Sequence, residues 1–293
     1  MKNLHKKAFS LVELSMVILI IGMLIAGISQ GIDLYQDSRL ATARALTQNS
    51  RVGRIPDLVS WYETTAENIF SSGTTSFQNI EKVQANQKIN RWKDSNPNSI
   101  FKYDASQTSS ANQPKIIFDK DSSLPIVRFD SPSFLNLPDG TVPYGNSEYT
   151  VIFISKVDVS GNYGVLGSGN YGTQNQTNAF RYDSVGKMVN YWWHDDLSSL
   201  INTTINNKFQ IFIFDYNKSI RNLYVDGVLK NYISSTIKPR ESTNLNNTIG
   251  KTYSVEYLVG SIAELIIYDR ALLNSERNDI EKYLSKKWSI KIN

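Results

Sequence analysis

The sequence predicts an α+β chain: one long N-terminal helix, then a β-rich domain of sandwich or barrel type, closed by a short C-terminal helix. Three observations carry this. From Phe9 to Ile28 the residues are predominantly apolar, and no proline follows until Pro56. Beyond Ile55, short runs rich in Val, Ile, Tyr and Phe alternate with turns of Asn, Ser, Gly and Asp, the pattern of many short strands. Near the C-terminus the apolar residues return to helical spacing, at Ile280, Tyr283, Leu284 and Trp288.

The N-terminal element comes first. An apolar run of about 20 residues is long enough to cross a bilayer as a helix. Lys2, Lys6 and Lys7 precede it and place its start on the cytoplasmic side. After Ile28 the chain turns polar but keeps a helical texture, with Ile32, Leu34, Tyr35, Leu40, Ala43 and Leu46 set among Asp37, Arg39 and Arg44. One helix is therefore expected from about Phe9 to about Arg51, apolar all round in its first half and amphipathic in its second. Gly22, Gly27 and Gly31 each weaken it by about 1 kcal/mol relative to Ala. Glu13 interrupts the apolar run. An unpaired carboxylate there costs several kcal/mol to bury, so it needs a partner.

The β-rich part starts at Ile55. Strands are expected at 115–119, 125–130, 149–157, 163–166, 179–183, 188–193, 209–215, 223–225, 228–232 and 262–268. Tyr149 to Ile154 and Phe209 to Phe214 are nearly continuous hydrophobic runs, which marks them as central strands. Asp226-Gly227 sits between the apolar arms Leu223-Tyr224-Val225 and Val228-Leu229. A type I′ turn needs positive φ at both central residues and favours this pair, so the turn fixes a hairpin and its register. Asn274 or Ser275 is the expected cap of a closing helix that runs to about Lys287 and packs on the sandwich edge.

Composition sets the limits. With 293 residues, 41% hydrophobic and 20% charged, the chain has room for one membrane or filament helix and one sizeable globular domain. Removing Lys2, Lys6 and Lys7 takes the formal charge from +4 to +1, so a nucleic-acid partner is not expected. Cysteine is absent, and the domain must hold by its own core rather than by disulfides. The 16 Tyr, 12 Phe and 5 Trp supply large apolar contacts with polar tips, suited to a β-rich exported domain.

Lys6-Lys7-Ala8-Phe9-Ser10-Leu11-Val12-Glu13 resembles the processing and assembly motif of type IV prepilins and of the pseudopilins of type II secretion. The resemblance implies a leader over 1–8, cleavage between Ala8 and Phe9 by a membrane-embedded aspartyl prepilin peptidase, and N-methylation of Phe9. It also implies a filament helix over 9–54, in which Glu13 meets the Phe9 amine of a neighbouring subunit. That pairing answers the partner requirement, because a buried carboxylate with a cationic partner is tolerable and one without is not. Ala8 departs from the family's usual Gly before the cut. An ordinary secretory signal would instead be cut after Gly27 or Ser29, but no clear small-x-small site is present and Glu13 sits near the start of the apolar core.

A second resemblance spans most of 55–293. Asp57-Leu58-Val59-Ser60-Trp61, Arg91-Trp92-Lys93-Asp94-Ser95, Leu124 to Asp130, Leu223 to Gly227, and Gly260 to Leu272 with its trailing helix resemble, in that order, the concanavalin A-like, laminin-G-type lectin/glucanase superfamily. It implies an antiparallel β-sandwich, a jelly roll of two sheets, which binds glycans or proteins and in some members cleaves glycosidic bonds. Cleavage needs two carboxylates about 5 to 9 Å apart, which glycosidases of the fold tend to present as Glu-x-Asp-x-x-Glu on one strand face. No such run is present. Glu264 and Asp269 are five apart and face opposite sides of a strand, reading as strand edge and turn former.

The most site-like stretch is Tyr191-Trp192-Trp193-His194-Asp195-Asp196, with aromatic faces for sugar rings beside acids for hydroxyls. Strand alternation sends Trp192 and Trp193 to opposite faces, one of them to the core. Apart from His5 in the leader, His194 is the only histidine, which leaves little for triad or His-rich metal chemistry. Calcium binding is common at the sheet edge of laminin-G-like domains, but Asp119, Asp121, Asp195 and Asp196 form no ligand series, and no cofactor is expected.

The expected protein is thus a non-catalytic type IV pilin-like filament subunit, minor or at the tip, displaying a lectin-like head for adhesion or surface recognition. The alternatives are a type II secretion pseudopilin with a structural role and, disfavoured by the missing carboxylate pair, a membrane-anchored glycosidase. Its expected partners are other pilin subunits, the prepilin peptidase and inner-membrane assembly machinery, the membrane itself, and a glycan or protein ligand for the head. It is expected single-pass in the bacterial inner membrane with its N-terminus cytoplasmic before assembly, and in a surface pilus or periplasmic pseudopilus afterwards.

Overall fold

The computed structural model describes residues 10–80, 83–234 and 243–293. Ala8 and Phe9, the expected cleavage and methylation positions, lie outside the described residues. The chain forms a long helix, antiparallel sheets arranged as a sandwich, and a short C-terminal helix.

Helix α1 runs Leu11–Asn49 and gives way to a 3-10 turn at Val52–Arg54. Ser10 caps its start: the Ser10 side-chain oxygen accepts from the Val12 N–H at 3.3 Å, and the Ser10 N–H donates to Glu13 Oε2 at 2.8 Å. The helix has two halves of different character. Large apolar residues from Leu11 to Tyr35 stand exposed on every side, whereas Leu40 and Ala43 are buried against the domain. The most apolar window is long enough to cross a membrane, and none of it is buried within the fold.

Nine described strands form one sheet, in the order Val228–Ser234, Ile220–Val225, Gln210–Tyr216, Tyr149–Val157, Gly260–Tyr268, Pro125–Phe129, Lys115–Phe118 and Gln87–Lys88. The ninth, Leu58–Tyr62, also pairs with Gly260–Tyr268. Tyr149, Val151 and Phe153 lie opposite Tyr216, Phe214 and Phe212, and together they face the second sheet. There Phe180 packs 5.0 Å from Phe214 and 6.0 Å from Tyr149 between ring centroids, so an aromatic layer joins the sheets. The alternate residues Ile152, Ile154, Ile213 and Ile266 are also fully buried, under helix α2 (Asn274–Trp288) and the end of α1. Both hydrophobic runs are central because both of their faces are covered. Ten described strands make the second sheet, which includes Ala179–Tyr182, Tyr163–Gly167, Thr248–Ile249 and Leu135–Asn136 as successive neighbours.

The Asp226-Gly227 turn forms as expected, with φ 51° and 83° and Val225 paired to Val228. Four expectations are corrected. Glu264 is not at a strand edge: its strand lies in the middle of the sheet, and its carboxylate is buried among Trp61, Tyr283, Lys287 and Trp288. Helix α2 therefore crosses the sheet face rather than its edge, because Tyr283 and Trp288 reach that carboxylate. The strand expected to reach Trp193 ends at Tyr191, where Trp193 and His194 take positive φ. Leu273, not Asn274 or Ser275, holds the N-cap position of α2. Leucine has no side-chain acceptor, and Glu276 answers by accepting the Leu273 N–H at 2.9 Å.

Candidate functional site: a polar aromatic cleft

On the outer face of the ten-stranded sheet, turned away from the helices, a cleft of about 410 Å³ opens beside the neighbouring strands Leu135–Asn136 and Thr248–Ile249. Alternation positions its floor: Leu135 and Ile249 point into the core at 0% exposure, so their neighbours Asn136 and Thr248, paired across the two strands, face outward. A hairpin of Lys251–Thr252 and Glu256–Tyr257 folds over this face. It comes so close to the strand Tyr163–Gly167 that a Cβ on Gly164 would lie 2.1 Å from the Thr252 nitrogen. At Gly167 a Cβ would meet the Tyr171 hydroxyl at 2.6 Å and the Lys251 carbonyl at 2.7 Å, so glycine lets Tyr171 lie across the strand.

The cleft is bordered by a chain of aromatic rings. Tyr171 stands edge-on to Tyr253 at 5.6 Å, Tyr253 lies 5.8 Å from Trp193, and Trp193 stands edge-on to Tyr191 at 5.4 Å. The two middle rings both rise from left-handed backbone, Trp193 at φ 61° and Tyr253 at φ 49°. Bulky residues rarely adopt that region, and such conformations collect at binding sites. Burial, reinforced by the Asp196 carboxylate, pushes the Tyr191 hydroxyl up to about 12.

Charges around the rings are distributed unevenly. The Arg181 guanidinium lies 4.9 Å above the Tyr191 ring and is paired with Glu256, whose other oxygen accepts from the Thr252 hydroxyl at 2.7 Å. Lys251 Nζ sits 4.7 Å from the Phe134 ring centre and 5.2 Å from that of Tyr257, with no carboxylate within salt-bridge distance among the described residues. Asn136 and Asn246 present exposed side-chain amides. Asn246 Nδ2 is tied to the Gly169 carbonyl at 3.0 Å, which leaves its oxygen to the cleft.

The structure separates the stretch 192–196 that the sequence grouped. Trp193 joins the aromatic chain, while Trp192 is fully buried beneath Arg221, whose guanidinium lies 3.6 Å above its ring. Asp196 accepts the Trp192 N–H at 2.9 Å and shapes the turn, the Asp195 carbonyl accepts from Arg221, and His194 is exposed. Glu13 is far from all of these, in the first turn of α1. Among the described residues, no group of three or more His, Asp or Glu is placed to hold a metal ion. Sequence reasoning passed over Phe134, Asn136, Tyr171, Asn246, Lys251 and Tyr253. The signal was faint: the strands Leu135–Asn136 and Thr248–Ile249 are two residues long and show no periodicity.

No curated protein matches the chain in sequence. Among solved structures, it is similar to Trypanosoma rangeli sialidase in complex with sialic acid, at 14% identity and TM-score 0.52, over 82% of this chain and 34% of the sialidase. The chain thus spans about a third of that enzyme, and the likeness is one of fold. It also aligns with domain 4 of AbnA, an extracellular arabinanase from Geobacillus stearothermophilus, in complex with arabinotriose, at 15% identity and TM-score 0.47, over 77% and 98% of the two chains. A third alignment is with the CBM40 of the Ruminococcus gnavus IT-sialidase bound to α2,3-sialyllactose, at 16% identity and TM-score 0.39, over 45% and 80%. A family model described as the concanavalin A-like lectin/glucanases superfamily matches residues 129–276, a stretch holding both strands of the cleft floor and every ring of its aromatic chain, and the chain belongs to that superfamily.

Proposed function

We propose that this protein is a type IV pilin-like filament subunit, minor or at the tip, whose sandwich head binds glycans at the cleft between Phe134 and Tyr253. The observation that carries the binding half is the aromatic chain of Tyr171, Tyr253, Trp193 and Tyr191 beside exposed asparagine amides. Rings stack on the apolar faces of sugars, and amides bond hydroxyls as both donor and acceptor. Among the described residues, the cleft lining of Phe134, Asn136, Asn170, Tyr171, Asn246, Thr248, Lys251, Tyr253 and Ser254 contains no carboxylate, which supports binding over glycoside cleavage.

The assembly half rests on the prepilin resemblance at 6–13. It is supported by the contrast within α1, apolar and exposed up to Tyr35, then packed into the head from Leu40. The exposed half suits a bilayer or the core of a filament. The helices cover one face of the sandwich and the cleft opens on the other, so a subunit held by α1 leaves its cleft free.

The test uses the full chain in detergent on an array of oligosaccharides. Wild-type binding to at least one sugar class, lost in Tyr253→Ala with unchanged thermal unfolding, supports the lectin reading. No binding to any sugar overturns it. Undiminished filament incorporation of Glu13→Ala in cells overturns the assembly reading.

A further inference from the structure

The geometry points to a sugar carrying an anionic substituent, a carboxylate or a sulfate, as the ligand of the cleft, with Lys251 as the group that selects it. This rests on the glycan-binding reading of the same cleft and narrows it to a ligand class.

Charge balance is the argument. Among the described residues, two cations stand near the cleft, and they are held differently. Arg181 is neutralised by Glu256 and has a ring below it, so its charge is already answered within the protein. Among the described residues, Lys251 is answered by ring faces alone, Phe134 at 4.7 Å and Tyr257 at 5.2 Å. Those rings pack 6.1 Å from each other and the ammonium rests over both, which fixes its position without cancelling its charge. Phe134 and Lys251 both line the cleft, and among the described residues the lining contributes no Asp or Glu to compete with an incoming anion. Across the lining, Asn136 and the free oxygen of Asn246 are placed for neutral hydroxyls, and Tyr253 for a ring face. A sugar whose acidic substituent reaches Lys251 while its ring meets Tyr253 uses all of these groups. A neutral sugar leaves the ammonium unmatched.

The experiment measures affinities of the full-length protein in detergent for two matched pairs: sialyllactose against lactose, and 6-sulfated against unsulfated N-acetyllactosamine. The expected result is at least about tenfold tighter binding of one or both acidic members, the size of one charge-assisted contact. The first pair reports a carboxylate and the second a sulfate. In Lys251→Met the preference should fall to within about twofold, and Lys251→Arg should retain it, with thermal unfolding confirming that each variant folds. Equal binding of acidic and neutral members overturns this inference and leaves the lectin reading standing. Equal weakening of both members in Lys251→Met also overturns it, because Lys251 would then act only as a prop for Phe134 and Tyr257. Failure to bind any of the four sugars, with no hit on the wider array, overturns both.

Discussion

Lys287 Nζ lies 3.1 Å from a carboxylate oxygen of Glu264, at the point where both helices meet the middle of the nine-stranded sheet, and solvent reaches neither side chain. Glu63 also lies 3.1 Å from the ammonium, equally buried. The indole N–H groups of Trp61 and Trp288 and the Tyr283 hydroxyl donate to Glu264 at 2.7, 3.0 and 2.7 Å, so the surplus negative charge is well solvated by fixed donors. Tyr283 also meets the Thr47 hydroxyl of α1 at 3.1 Å, which ties the exposed helix to the head through the same cluster.

Removing the cation strands two carboxylates in the core. Lys287→Met is expected to cost about 3 to 5 kcal/mol in urea unfolding, and Lys287→Met with Glu264→Gln less than the sum of the two single changes. Simple additivity would show that Lys287 and Glu264 are not energetically coupled.

The same cluster gives a pH dependence of known sign. Burial alone would raise the Glu63 pKa, but the Lys287 ammonium and the bonds from Thr65 and Ala66 outweigh it and hold the carboxyl below the usual range. A depressed folded-state pKa contributes stability above the unfolded value, about 4.3, and loses it as pH falls through the folded value. Thermal stability of the wild type should therefore drop more steeply below about pH 4 than that of Glu63→Gln. Buried Asp215 is shifted upward by burial and works in the opposite direction, so the difference between the two proteins is the informative quantity.

Much of this architecture was legible because it rests on periodicity. Tyr149 to Val157 and the Asp226-Gly227 hairpin could be read from sequence: a nearly continuous apolar run from Tyr149 to Ile154, and a dipeptide tolerant of positive φ. Glu264 was misread because a lone acid in an apolar strand looks like an edge residue, and its partners are distant in sequence: Trp61 on one side, Tyr283, Lys287 and Trp288 on the other. The cleft was missed for a similar reason. Its floor comes from two-residue strands, and its rim from backbone conformations at Trp193 and Tyr253 that alternation does not foresee. Reading 188–193 as one strand sent Trp192 and Trp193 to opposite faces, one of them to the core, but the structure puts Trp192 inside and Trp193 outside by a turn after Tyr191.

Gly167→Ala tests how the hairpin is seated. Its new methyl would press on the Tyr171 hydroxyl and on backbone at Lys251. A loss of about 1 to 3 kcal/mol is expected, together with weaker sugar binding because Tyr171 must move. Unchanged binding in the folded variant would remove Tyr171 from the ligand surface.

Glu13 has two roles that one substitution separates. Its carboxylate accepts the Ser10 N–H and so completes the cap of α1, a task that glutamine also performs. The proposed pairing with a neighbour's terminal amine needs the charge. Glu13→Gln should therefore keep the helical content of the detergent-solubilised protein, read by circular dichroism, and still fail to enter filaments. Normal incorporation would reduce Glu13 to a capping residue.

The adjacent tryptophans should answer to different measurements. Trp192 is fully buried and holds the Arg221 guanidinium 3.6 Å above its ring, with Tyr216 edge-on at 5.1 Å. Trp192→Ala would open a large cavity and leave a buried cation without its ring, a loss of about 3 to 5 kcal/mol. Trp193 is only partly buried, and its ring contacts are Tyr191 and Tyr253 on the cleft's aromatic border. Trp193→Ala removes no core volume and releases a bulky side chain from left-handed backbone, so stability should change by less than about 1 kcal/mol. Sugar affinity should fall about tenfold or more, as the loss of one stacking face requires. If Trp193→Ala binds sugars like the wild type, the rings beyond Tyr253 are not part of the binding surface, and the ligand is confined to the cleft between Phe134 and Tyr253.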